Sequence, residues 1–212
     1  MGAWIQQRNE LYAQTVIANL AKRNMEGYYC ATKEEALEKA LELIPETDVV
    51  TWGGSVSIDE IGLLAAVKKR NPVIDRDTAA TLEEKVELMR KGLTCDTFLM
   101  STNAMSEDGV LVNIDGNGNR VASLIFGPKQ VIIIAGVNKI TKDLDSAVAR
   151  ARGTAAPINA QRFEGIRVPC AKTGVCANCN SPDCMCCQVV ITRHSRQAGR
   201  IKVILVGENI GF

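Results

Sequence analysis

The stretch Asp48-Val-Val-Thr-Trp52-Gly53-Gly-Ser-Val-Ser57, DVVTWGGSVS, decides the fold class of this chain. Asp48 to Trp52 is a short apolar run of the kind that forms a buried strand, and two glycines then turn the chain sharply. Ser55 and Ser57 come next, suited to capping a helix predicted from about Ile58 to Arg70. Strand, glycine turn and helix in that order are the repeating unit of a parallel sheet.

Working outward, the same alternation continues on both sides. Ala3 to Lys22 places Trp4, Leu11, Val16, Ile17 and Leu20 at roughly helical spacing, and Gly27 to Cys30 suits a strand. Thr32 with Glu35 forms a capping box that starts a helix through Ile44, where Pro45 stops it. After the glycine turn come a strand at Val73 to Asp75, a helix at Leu82 to Lys91 and a strand at Thr97 to Met100. Val110 to Asp115 and Arg120 to Phe126 flank Gly116-Asn-Gly-Asn119, which reads as a β-hairpin turn. Val131 to Ala135 is an apolar strand, Lys142 to Arg152 a helix, and Val189 to Thr192 with Ile201 to Val206 two closing strands. The expectation is an α/β fold: a mostly parallel sheet with helices on both faces, a β-hairpin and a cysteine-rich loop. With no internal repeat and no low-complexity linker, residues 1–212 read as one domain, the cysteine segment 169–187 being inserted before the last two strands.

Composition narrows the functional classes. The 212 residues are 46% hydrophobic, enough for a core that needs no covalent staple. Basic and acidic residues number 25 and 24, aromatics make up 4%, and no basic stripe occurs, which disfavours nucleic acid and membrane surfaces as partners. Neither a cationic start followed by an apolar run nor a long apolar stretch is present, so a cytoplasmic location is expected.

Six of the eight cysteines fall in PCAKTGVCANCNSPDCMCC, Pro169 to Cys187. In a reducing compartment, Cys170, Cys176, Cys179, Cys184, Cys186 and Cys187 favour a thiolate-held metal over disulfides. A nearly all-sulfur set suits zinc or an iron–sulfur cluster, and reduced, unliganded cysteines are the plain alternative. Cys30 and Cys95 sit in apolar contexts and read as core residues. No complete dinucleotide fingerprint is read, so no NAD is expected: Gly53-Gly-Ser lacks the third glycine, and Gly116-x-Gly118 reads as part of a hairpin rather than a strand-to-helix turn.

The glycine turn is the candidate ligand site, because amides at a helix start and close backbone approach favour an anion such as a carboxylate, a phosphate or a CoA-like group. Gly53, Gly54, Ser55, Ser57 and Glu60 from that turn are expected to bind it, with Asn103, Asn113, Asn117, Asn119 and Arg120 from the later segment. In Ser106-Glu-Asp-Gly109, Glu107 could serve as base or nucleophile if burial raised its pKa, whereas a loop carboxylate is ordinarily just solvated.

Three ordered segments carry a family resemblance: GGSVSIDEIG from Gly53 to Gly62, STNAMSEDGVLVNIDGNGNRVASLIFGPKQVIIIAGVNKI from Ser101 to Ile140, and CAKTGVCANCNSPDC from Cys170 to Cys184. Together the chain resembles the LUD family, the lactate-utilisation domain proteins of bacteria. The resemblance implies a fold similar to the ribose-phosphate isomerase, glucosamine-phosphate deaminase (NagB/RpiA) and CoA-transferase group. It also implies a role in oxidising lactate or a related small hydroxy acid, beside an iron–sulfur oxidoreductase partner and a third component. Ser106-Glu-Asp-Gly109 is similar to the Ser-Glu-Asn-Gly motif of some CoA transferases, which puts Glu107 at the matching position, with Asp108 replacing the asparagine. Three functions are compatible with these features: an accessory or catalytic subunit of that oxidising system, a stand-alone transferase or isomerase centred on Glu107, and a cysteine-rich metal-holding assembly protein. A homodimer is compatible with each.

Overall fold

The structure is a computed structural model and describes residues 2–212. Its centre is a five-stranded parallel sheet built from β1 (Glu26–Cys30), β2 (Val50–Trp52), β3 (Thr97–Met100), β6 (Gln130–Gly136) and β9 (Ile201–Val206), in the order β1-β9-β6-β3-β2. The middle strands are apolar at nearly every position because both faces are covered, and successive residues supply opposite cores. Val131, Ile133 and Ala135 of β6 pack on one side with Ala13, Val16 and Leu20 of α1 (Ala3–Ala21). Ile132 and Ile134 pack on the other with Ala36 and Ala40 of α2 (Lys33–Leu43). Trp4 and Leu11, which the periodicity groups with the core stripe of α1, instead face solvent.

The predicted helix from Ile58 to Arg70 is two helices, α3 (Val56–Glu60) and α4 (Leu63–Arg70). Gly62 between them has φ +74°, a left-handed conformation that ends one helix and starts the next at a new angle. Val73 makes only an isolated parallel bridge to Val50, so the strand read at Val73 to Asp75 is barely begun. α5 (Leu82–Lys91) comes next, with Thr81 accepting from the Glu84 amide as its cap.

A second sheet stands beside the first, in the order β7-β4-β5-β8, from β4 (Ala104–Ser106), β5 (Leu111–Asp115), β7 (Ile140–Thr141) and β8 (Gln188–Thr192). Here the predicted hairpin is corrected. β5 pairs antiparallel with β4 before it and β8 far after it, while the segment beyond the glycine turn is α6 (Asn119–Ile125), not a strand. The cause is local: the Asp115 carboxylate accepts from the Gly118 amide at 3.3 Å and the Val121 amide at 3.1 Å, and Gly118 takes φ +84°. An acidic residue holding amides at a helix start is a cap, and it outweighs the weak strand preference of Val121 to Phe126. Asp143 caps α7 (Leu144–Arg150) in the same way, and a π-helical stretch at Ala151–Ala155 joins it to α8 (Ala156–Ala160). The short α9 (Pro169–Thr173) leads into the cysteine loop, which has no regular structure until β8. Among the described residues no helix is long and apolar enough to cross a membrane.

Candidate functional site

The carboxyl ends of β2, β3 and β6 open toward the second sheet, and a cleft of about 780 Å³ lies between them. Its floor comes from Gly54 to Ser57 after β2, Ser101 to Asn103 after β3 and Lys139 after β6; Asp115 to Asn117 and Cys184, Met185 and Cys187 form part of the walls. This is where open α/β sheets hold ligands, because the strand ends stop there and loops diverge.

Lys139 is the group most out of its ordinary chemistry. It is 3% exposed, and its Nζ donates to Ser57 Oγ at 2.9 Å and Ser101 Oγ at 3.0 Å. Burial pushes its pKa down to about 7, with Arg150 and Arg120 nearby acting in the same direction and Glu60 against it. Composition gives no sign of this residue, which stands just beyond an apolar strand and reads as its solvated end. The usable signal is a lysine just past the carboxyl end of a central parallel strand.

Arg120 lies in the cleft wall, but its donors are already committed. Nη1 donates to Asn113 Oδ1 at 2.6 Å and to the Ser101 carbonyl at 3.1 Å; Nη2 donates to Asn103 Oδ1 at 3.1 Å and to the Ile114 carbonyl. Nε stands 3.7 Å from Asp115. Asn103 and Asn113 thus orient an arginine that knits β3, β5 and α6 together. Gly53 serves the same clamp, since a Cβ there would stand 2.7 Å from Arg120 Cδ. Arg76, which no sequence motif singles out, is less committed: its Nε is buried without a hydrogen-bond partner, 3.9 Å from Asp77, and a Cβ on Gly54 would stand 3.1 Å from its Nη2.

The sequence-predicted ligand residues therefore divide. Gly54, Ser55, Ser57, Asn103, Asn117, Asn119 and Arg120 line the cleft, with Ser55 also capping α3. Gly53, Asn113 and Glu60 lie outside its lining, and Glu60 accepts from the Gly211 amide at 3.1 Å. Glu107 sits elsewhere, on the turn between β4 and β5. It accepts from Lys142 Nζ at 2.7 Å and Tyr12 Oη at 3.0 Å, and the lysine above all holds its pKa below the usual carboxylate value. That is opposite to the raised pKa a general acid or base requires.

Cys170, Cys176, Cys179, Cys184 and Cys186 all line a second chamber of about 270 Å³, while Cys187 faces the main cleft. Every cysteine is free. Burial raises Cys186 to about 12, whereas hydrogen bonds from Ser181 hold Cys179 low. Among the described residues, no three His, Cys, Asp or Glu side chains are gathered as a metal-holding group. The two chambers share Cys184 and Met185 as a common wall.

A parallel sheet with helices on both faces, an antiparallel companion and a cation-bearing cleft at the carboxyl edge place the chain in the α/β class with a candidate ligand cleft. The LUD domain matches residues 13–206, and the chain belongs to that family, which relates it in general terms to lactate utilisation. A solved DUF162 family protein from Deinococcus radiodurans shares the fold at TM-score 0.53 and 11% identity, covering 93% of this chain and 98% of that one. No curated protein matches the sequence.

Proposed function

We propose that the cleft binds a small anionic metabolite, a carboxylate of the lactate type, and that the chain serves a bacterial system oxidising such an acid with an iron–sulfur partner carrying the electrons. The observation that carries this reading is the pairing of Lys139, hydrogen-bonded only to hydroxyls, with Arg76, whose Nε lacks a partner, at one strand-end cleft. A buried lysine held only by hydroxyls, beside an arginine whose nearest carboxylate, Asp77, stands off at 3.9 Å, favours an anionic occupant, which supplies the missing charge balance. Arg120 adds its field while holding the walls in place. The stand-alone transferase reading gains nothing from Glu107, which is ion-paired outside the cleft.

Titration calorimetry with lactate and with inorganic phosphate tests the reading. Micromolar to millimolar binding is expected, weakened roughly tenfold or more in Arg76→Gln, the loss of one charge-assisted hydrogen bond. Absence of binding by both anions, or affinity unchanged in that variant, would place the ligand elsewhere.

A second reading, a resident thiolate-held metal, is favoured by the five cysteines that share one chamber. The loop from Gly174 to Cys187 would have to draw its sulfurs inward on loading, as thiolate sites do when metal binding and local folding are coupled. Iron–sulfur chemistry would supply single-electron transfer, and zinc would supply only a structural tie.

A further inference from the structure

We infer that Lys139 is a covalent attachment point, whose amine condenses with the carbonyl of a short 2-oxo acid bound in the cleft. This rests on the anion-binding reading above and names the substrate class of the same site: the oxidised partner of a 2-hydroxy acid carries both the carboxylate the cleft attracts and a carbonyl an amine can attack.

Donors and lone pairs at the amine can be counted. A neutral primary amine has two N–H groups and one lone pair; at Lys139 Ser57 and Ser101 each accept one hydrogen bond, at 2.9 and 3.0 Å. The lone pair is then left over, on a residue that lines the cleft. No carboxylate among the described residues ion-pairs with this amine, so none stabilises its charged form directly. Gly211 packs close above: a Cβ at 211 would lie 3.1 Å from Nζ and would collide with Ser57 Oγ. The backbone there, at φ +55°, takes a left-handed conformation that glycine adopts freely, and the absence of a Cβ lets it pass close over the amine.

The step balances without an added reagent. Nζ adds to the carbonyl carbon while a proton moves to the carbonyl oxygen, giving a carbinolamine; loss of that oxygen as water forms the C=N bond. Ser57 and Ser101 hydroxyls are in reach to pass the protons. The residue's depressed pKa, about 7, leaves a large fraction of the amine neutral near physiological pH, as imine-forming lysines require.

The test is reductive trapping. The whole chain is incubated with pyruvate or glyoxylate, sodium borohydride is added, and intact mass and peptide mapping locate any adduct. One adduct per chain, of the acid's mass less water plus two hydrogens, is expected on Lys139. Excess lactate should suppress it, and trapping should rise as pH increases through about 7. Lys139→Arg keeps a cation but cannot form an imine, so it should lose the adduct. If it fails to fold, mapping on the unmodified chain decides alone. No adduct, or one on rim Lys85 or exposed Lys142, overturns the inference. Calorimetry run in parallel separates the two failures: pyruvate that binds without trapping removes the imine alone, whereas no binding removes the anion reading as well.

Discussion

Lys139 concentrates the cost of this fold in one side chain. Hydroxyls of Ser57 and Ser101 touch its amine, Arg120 and Arg150 bear on it unfavourably, and Glu60 is the opposing charge. Folding lowers its pKa to about 7, whereas a free lysine titrates near 10.4. Between those values the unfolded chain binds more protons, so stability from this residue rises with pH across that window and is lowest below about pH 7. The expected outcome is that wild type gains on Lys139→Met by up to about 4 kcal/mol between pH 7 and pH 10, measured by urea denaturation at each pH. A pH-independent difference would mean the amine keeps its ordinary value. The residue is in plain view in the sequence, but its burial is not: Val131 to Ala135 identifies a strand, and only the pairing of that strand inside the sheet places Lys139 at the cleft.

At the scale of elements, α6 shows why a glycine turn can mislead. Gly116 to Asn119 has the residues a hairpin selects, and apolar residues on both sides complete the pattern. The deciding fact is the Asp115 carboxylate turned onto two amides, with β5 already paired on both edges by β4 and β8. A third strand had no free edge to join. Asp115→Ala should therefore cost about 1–2 kcal/mol through the lost cap, seen as a lower urea midpoint with an unchanged slope. Because Asp115 also stands beside Arg120, the variant should weaken lactate binding by its effect on the cleft wall, and a stability loss below about 0.5 kcal/mol would contradict the capping role. The capping boxes are readable without coordinates: Thr32 accepts from the Glu35 amide as its spacing implies, and α2 starts there.

At the scale of the molecule, the two chambers meet at Cys184 and Met185, so the state of the cysteine loop bears directly on the cleft. Anaerobically purified protein should contain iron with broad visible absorption, or stoichiometric zinc without colour; protein with neither metal would leave the cysteines as free thiols. Cys184→Ser should lower metal content and alter lactate affinity together, since one residue faces both spaces. The sequence by itself determined the α/β class, the glycine turn at Gly53 and Gly54, the caps and the clustering of thiols, because each depends on residues close along the chain. It could not tell which polar groups would converge. Arg76, Lys139 and Ser101 are far apart in sequence and line one cleft only because the segment after Val73, bridged to β2, ends beside β3 and β6, and Glu107 is drawn away to Lys142 and Tyr12. Strand order and burial made those decisions, through contacts that no local pattern encodes.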